Sequence, residues 1–137
     1  MSNLLLLALS LTAGVQLESS PRASDPLTWI AGDWEIVDPE TGEPEQACAK
    51  AQRFKPTADE RHVDLTELGT PDFKARYTVV HRAKNRVLMF IDGEERLTDA
   101  GDPVLWWANF DGPDQFQWRR YDWPAGAATA TWRRCQT

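Results

Sequence analysis

From Thr28 onward the apolar positions of the chain fall into short runs that alternate with polar ones, and the runs are separated by turn-forming residues. In "RHVDLTEL", Val63 and Leu65 share one face of an extended segment, with His62, Asp64 and Thr66 on the other, the pattern of a half-buried strand. "TWIAGDWEIV", "QACAKAQRF" (ended by Pro56), "FKARYTVVHR", "PVLWWANF", "FQWRRYDW" and "ATATWRRCQ" also read as strands. "RVLMFID" is apolar on both faces, as a central strand is. "DPETGEPE", "AKN" and "DGPD" are turns, and "DGEERLTDAGD" reads as a turn, a short strand and a second turn. No stretch of helix length carries a 3.6-residue apolar stripe. This predicts about eight or nine strands with hairpin-length connections, an antiparallel meander. Left open, it would expose two bare edges; closure removes them, and about eight strands just enclose side chains or one small ligand. The expected fold is all-β, an eight-stranded antiparallel up-and-down barrel over residues 24–137, and 137 residues suffice for one domain.

The start of the chain has a different pattern. "MSNLLLLALSLTAGV" holds an apolar stretch, Leu4 to Val15, of signal-peptide length, well short of the roughly 20 residues that span a bilayer. Residues 1–23 are expected to be a signal peptide and short linker, although no Lys or Arg precedes the apolar run. The alternative is a buried N-terminal helix. No Cys lies near the leader's end, which argues against a lipid anchor. Export implies a periplasmic or secreted protein without an integral membrane span. In an oxidising compartment the two cysteines, Cys48 and Cys135, form one disulfide; in a reducing one they are separate buried thiols.

Composition narrows the function classes. The net charge is −6 and there is no basic run, which argues against nucleic acid or an anionic membrane as partner. Seven Trp and a hydrophobic content of 42% exclude a disordered chain.

"GDW", Gly32 to Trp34 on the first strand, resembles the Gly-x-Trp signature of lipocalins and their relatives, the calycins. The resemblance implies that Gly32 lets the strand bend into the barrel and that Trp34 plugs its closed end. It also implies that an Arg of the last strand, Arg133 or Arg134 in "TWRRC", packs across the Trp face. A disulfide between Cys48 and Cys135 would tie the C-terminal region to the barrel wall, as is common in that family. In length the chain is closer to avidin-like barrels and to periplasmic barrels that inhibit secreted metalloproteases. From Trp29 onward it is similar to small exported proteobacterial proteins, a likeness that implies a compartment and no activity.

Catalytic constellations are sparse. No Gly-x-Ser-x-Gly elbow, His-Glu-x-x-His or Walker loop occurs. His62 is expected to face solvent, and His81, in phase with Tyr77 and Val79, to point inward as a core residue. The acids of "DGEE", "DAGD" and "DGPD" lie in Gly- and Pro-rich turns, where solvated carboxylates do no acid–base chemistry, and they lack calcium-loop spacing. The cysteine and histidine spacing fits no metal site. The expectation is a non-enzymatic protein without cofactor or metal.

Binding is the better-supported class. Five Trp fall in the last third, and the neighbours Trp106 and Trp107 must point to opposite sides of their strand. Trp106 is in phase with Val104, Ala108 and Phe110; Trp107 is in phase with Leu105 and Asn109. Trp106, Trp118, Tyr77, Met89 and Phe110 are the expected walls of a narrow pocket for a small apolar or aromatic ligand, open at the end opposite Trp34, in a monomeric barrel. The alternative is a filled barrel that acts through its outer face, as an envelope protein-interaction module or protease inhibitor.

Overall fold

The computed structural model describes residues 25–44 and 48–135. The expected leader, residues 1–23, lies outside the described residues, as does residue 24 at the start of the expected domain. Eight strands run in chain order: β1 Gly32–Ile36, β2 Gln52–Pro56, β3 His62–Glu67, β4 Thr70–Arg82, β5 Arg86–Ile91, β6 Trp106–Phe110, β7 Gln115–Arg120 and β8 Thr131–Arg134. Each pairs antiparallel with its neighbour, and β8 returns to β1, so the sheet is a closed barrel. The all-β, eight-stranded up-and-down architecture is the one expected. The ninth strand is not formed: "DGEERLTDAGD" makes one isolated bridge, Leu97 to Pro103. Among the described residues no helix is long and apolar enough to cross a membrane.

One short helix, α1 Pro26–Trp29, precedes β1. Asp25 caps it by accepting from the Leu27 amide at 3.0 Å, and Pro26 occupies a first-turn position where no N–H is needed. The strand expected over "TWIAGDWEIV" is corrected at its start: Thr28 and Trp29 belong to this helix and the strand begins at Gly32, because four residues are too few to show a helical period. It buries Leu27 and Trp29, and Ile30 follows them into the core.

The registers separate the two ends of the barrel. Gly32, Pro56, His62, Arg82, Arg86, Phe110, Gln115 and Arg134 lie at the end covered by α1. The long connections β5–β6 and β7–β8, with the tight β3–β4 turn, therefore gather at the other end. The β1–β2 connection leaves from that end and returns along the outer wall, where Asp38 and Gly42 share a groove with Gln115 and Arg133 and Cys48 reaches Cys135. The lower half is packed solid with inward side chains: Trp34, Phe54, Val63, Leu65, Val87, Met89, Phe110 and Phe116. Inside and outside alternate cleanly on β3, where Val63 and Leu65 are buried and their neighbours less so.

The alternation breaks on β4. Val79 pairs with Met89 but His81 pairs with Leu88, so Val80 is an extra residue and the register shifts. One inserted residue reverses every later side chain. His81 is therefore exposed, edge-on to the outward Trp107 at 6.3 Å, and the expectation that it points inward is corrected. His62 is half-buried on the outer face, its Nδ1 3.3 Å from Thr78 Oγ1.

Cys48 and Cys135 are joined in a disulfide with Cα atoms 5.8 Å apart. Cys48 opens a 3-10 turn, Cys48–Lys50, ahead of β2, and the Cys135 amide donates to Asp33 O at 2.8 Å. The bridge thus fastens the end of β8 beside β1, where the barrel closes.

Candidate functional site

The closed end is organised around Trp34, which has no exposed surface. Its Nε1–H donates to Ile30 O at 2.8 Å, and its ring meets Phe116 edge-on at 4.8 Å and Phe110 at 6.0 Å. Register places Arg134 directly opposite Trp34, and its guanidinium carbon sits 4.5 Å above the indole. The same guanidinium donates to Ala31 O at 2.7 Å, to Trp29 O and to Pro113 O at 2.8 Å, and pairs with Asp114 at 3.0 Å. Of the two arginines left open by the sequence, Arg134 is the one over Trp34. Arg133, one step out of phase, faces Glu35 outside at 3.7 Å.

Gly32 is required by this clamp. Its φ of +123° is a conformation that side chains rarely adopt, and a Cβ there would lie 2.7 Å from Arg134 Nη1, which is pinned by its hydrogen bonds. Gly32→Ala is expected to cost about 1–3 kcal/mol in denaturant unfolding. A change near zero would show that the clamp can move aside.

The upper half of the barrel is not filled. A cavity of about 350 Å³ lies at the end away from Trp34, lined by Ile36, Gln52, Tyr77, Ile91, Trp106, Trp118, Thr129, Ala130 and Trp132. Its walls are mainly aromatic. Tyr77 and Trp118 stack at 5.4 Å, and Trp106 is met edge-on by Trp123 at 5.6 Å. Trp132 stacks on Phe116, which seals the floor, at 6.2 Å. Trp106 Nε1 is buried and has no hydrogen-bond partner among the described residues.

Of the expected pocket residues, Tyr77, Trp106 and Trp118 line this cup. Met89 and Phe110 do not: both are buried beneath it in the packed lower half, Phe110 against Trp29 and Trp34. Trp132 is a wall residue that sequence reasoning did not select. The signal was available, because Trp132 is two residues from Arg134 and so shares its inward face. Ile36 relates to Trp34 in the same way.

Burial, with the charge of Glu94 adding to it, pushes the Tyr77 phenol up to about 12. The folded state favours the neutral phenol. Its contribution is complete below the unfolded value of about 10 and is lost as pH rises through the folded one. In a spectrophotometric titration Tyr77 is expected to ionise only at about pH 12 or on unfolding. Ionisation in the ordinary phenol range with the fold intact would mean that water reaches the cup's wall.

The acidic turns are not uniform. Glu94 of "DGEE" has a side chain only 6% exposed and is paired with Arg96, which departs from the solvated carboxylates expected there. Asp99, Asp102, Asp111 and Asp114 are exposed as expected. On the barrel wall, Glu35 is buried, with Oε2 3.1 Å from Cys48 Sγ. Both neighbouring sulfurs are committed to the disulfide and do not present the thiolates that a soft metal binds.

Trp107 points outward, as the alternation required. Arg86 lies over its ring at 4.0 Å, so the indole is covered from within the chain and half-buried.

A closed barrel of eight antiparallel strands, sealed at one end and hollow at the other, is a calycin-like architecture. No family model matches the chain, and no curated protein matches it in sequence.

Proposed function

We propose that the protein is a lipocalin-like barrel of bacterial type that binds a small apolar or aromatic ligand and carries out no reaction on it. The observation that carries this reading is the cavity of about 350 Å³ at the open end, walled by Tyr77, Trp106, Trp118 and Trp132. Its volume falls at the lower end of small-molecule pockets, and its polar lining groups are Gln52, Thr129, the Tyr77 phenol and the Trp106 indole N–H, which we read as orienting a ligand. The Gly32–Trp34–Arg134 arrangement supports the lipocalin-like assignment. The disulfide and the apolar leader support export to the periplasm or beyond.

The test is native mass spectrometry on the mature protein purified from its host's envelope under non-reducing conditions. A reproducible non-covalent adduct of small-molecule mass is expected. A bare monomer, or an adduct of protein size, would move the reading to an envelope interaction module or protease inhibitor. One feature favours that second reading: the outward cluster of His81, Arg86 and Trp107, beside the exposed Val80.

A further inference from the structure

We propose that the cup takes a small neutral aromatic carbonyl compound, an aryl ketone, aldehyde or ester, whose oxygen accepts a hydrogen bond from the Trp106 indole N–H. This rests on the ligand-binding reading above and names the chemical class of its ligand.

The polar capacity of the lining decides the class. Trp106 Nε1 is buried and has no partner among the described residues, and an indole N–H can only donate. Two side chains pack on this indole, Trp123 edge-on at 5.6 Å and the Arg96 guanidinium carbon 5.9 Å from the ring, and neither supplies an acceptor. The Thr129 hydroxyl is already committed: it accepts from the Trp118 amide at 3.1 Å and donates to Ala130 O at 3.2 Å. The neutral Tyr77 phenol carries a second O–H on the wall, and Gln52 offers a donor and an acceptor together. The uncommitted groups are therefore richer in donors than in acceptors. A buried donor without a partner is unfavourable until something supplies one. A ligand that brings an acceptor and no donor fits this balance; an amine brings donors that the lining cannot match.

Charge sets the second limit. The lining holds no acidic or basic side chain, so a carboxylate or an ammonium would give up its hydration without a counter-charge. At the open end Arg96 and Arg120 are tied to Glu94 and Asp122. The walls favour a flat ring: Tyr77 and Trp118 stack at 5.4 Å, and Trp132 lies parallel to Phe116 at 6.2 Å. A carbonyl conjugated to an aryl ring meets both requirements in one planar, uncharged molecule.

The experiment is an NMR titration of the purified, nitrogen-15-labelled protein with three probes: acetophenone, α-methylstyrene, which has C=CH2 in place of C=O, and benzoate. Acetophenone is expected to bind about tenfold more tightly than α-methylstyrene, and more tightly than benzoate. The Trp106 indole proton is expected to move downfield with acetophenone and not with α-methylstyrene. Trp106→Phe keeps a ring and removes the donor. In that variant the ratio of the acetophenone and α-methylstyrene affinities is expected to fall to about one, whatever the smaller ring does to each. α-Methylstyrene binding as tightly as acetophenone, or benzoate binding most tightly, overturns the inference and leaves the ligand-binding reading standing. A Trp106 indole proton that acetophenone does not move, read on the unaltered protein, also overturns it, as does a ratio that survives in Trp106→Phe. Binding of none of the three overturns the inference together with the reading beneath it.

Discussion

Trp34→Ala is expected to destabilise the domain by about 3–5 kcal/mol, measured by urea unfolding followed by circular dichroism. The indole is completely buried and fills the junction between α1, β1 and the floor formed by Phe110 and Phe116. Removing it deletes that volume from a region that cannot collapse, because the barrel wall around it is hydrogen-bonded on all sides. Two further losses follow. Ile30 O loses its donor, and the Arg134 guanidinium loses the π-face beneath it while its other contacts hold it in place. The cup lies at the other end of the barrel, so ligand binding by the folded fraction should survive. A loss below about 1 kcal/mol would mean that Trp34 is not the plug, and the lipocalin-like reading of "GDW" would go with it.

Opening the Cys48–Cys135 bridge is expected to have an effect of similar size. The bridge closes a loop with a sequence separation of 87, for which chain-entropy reasoning gives an upper value of about 4–5 kcal/mol. The structural consequence is local to the seam. β8 is four residues long and pairs with β1 at three positions, Trp34 to Arg134, Glu35 to Arg133 and Ile36 to Trp132. The disulfide holds this short strand against β1 just beyond the last of its ladder. Unfolding with and without dithiothreitol, and of the Cys48→Ser/Cys135→Ser variant, measures the contribution. If the reduced and oxidised proteins unfold within about 1 kcal/mol of each other, the β1–β8 ladder and the Arg134 clamp close the barrel unaided.

The two experiments act on opposite sides of one design. The closed end is over-determined: a capped helix, a buried indole, a guanidinium with four acceptor partners and a packed aromatic floor. The open end has its aromatic walls but not the side chains to fill the space between them. Rigidity at one end therefore supports an unfilled cup at the other, the division of labour that a binding site on a rigid scaffold requires.

The sequence by itself determined the strands, their antiparallel order and the requirement for closure, because a two-residue period is a local property and short connections leave few alternatives. It also set Trp106 and Trp107 on opposite faces and singled out Gly32, Trp34 and the terminal arginines. Tertiary structure alone decided the rest. The bulge at Val80 turned His81 outward, since an inserted residue is defined by the partner strand and leaves no mark in the alternation. Pairing across the seam selected Arg134 over Arg133. Depth along the axis separated Met89 and Phe110, in the packed half, from Trp132, in the cup, although alternation puts all three inside. Glu94 was buried by a loop contact with Arg96 that no period encodes. Periodicity reports which way a side chain faces; how deep it sits, and what meets it there, depends on strands that are remote in the chain and adjacent only once the barrel has closed.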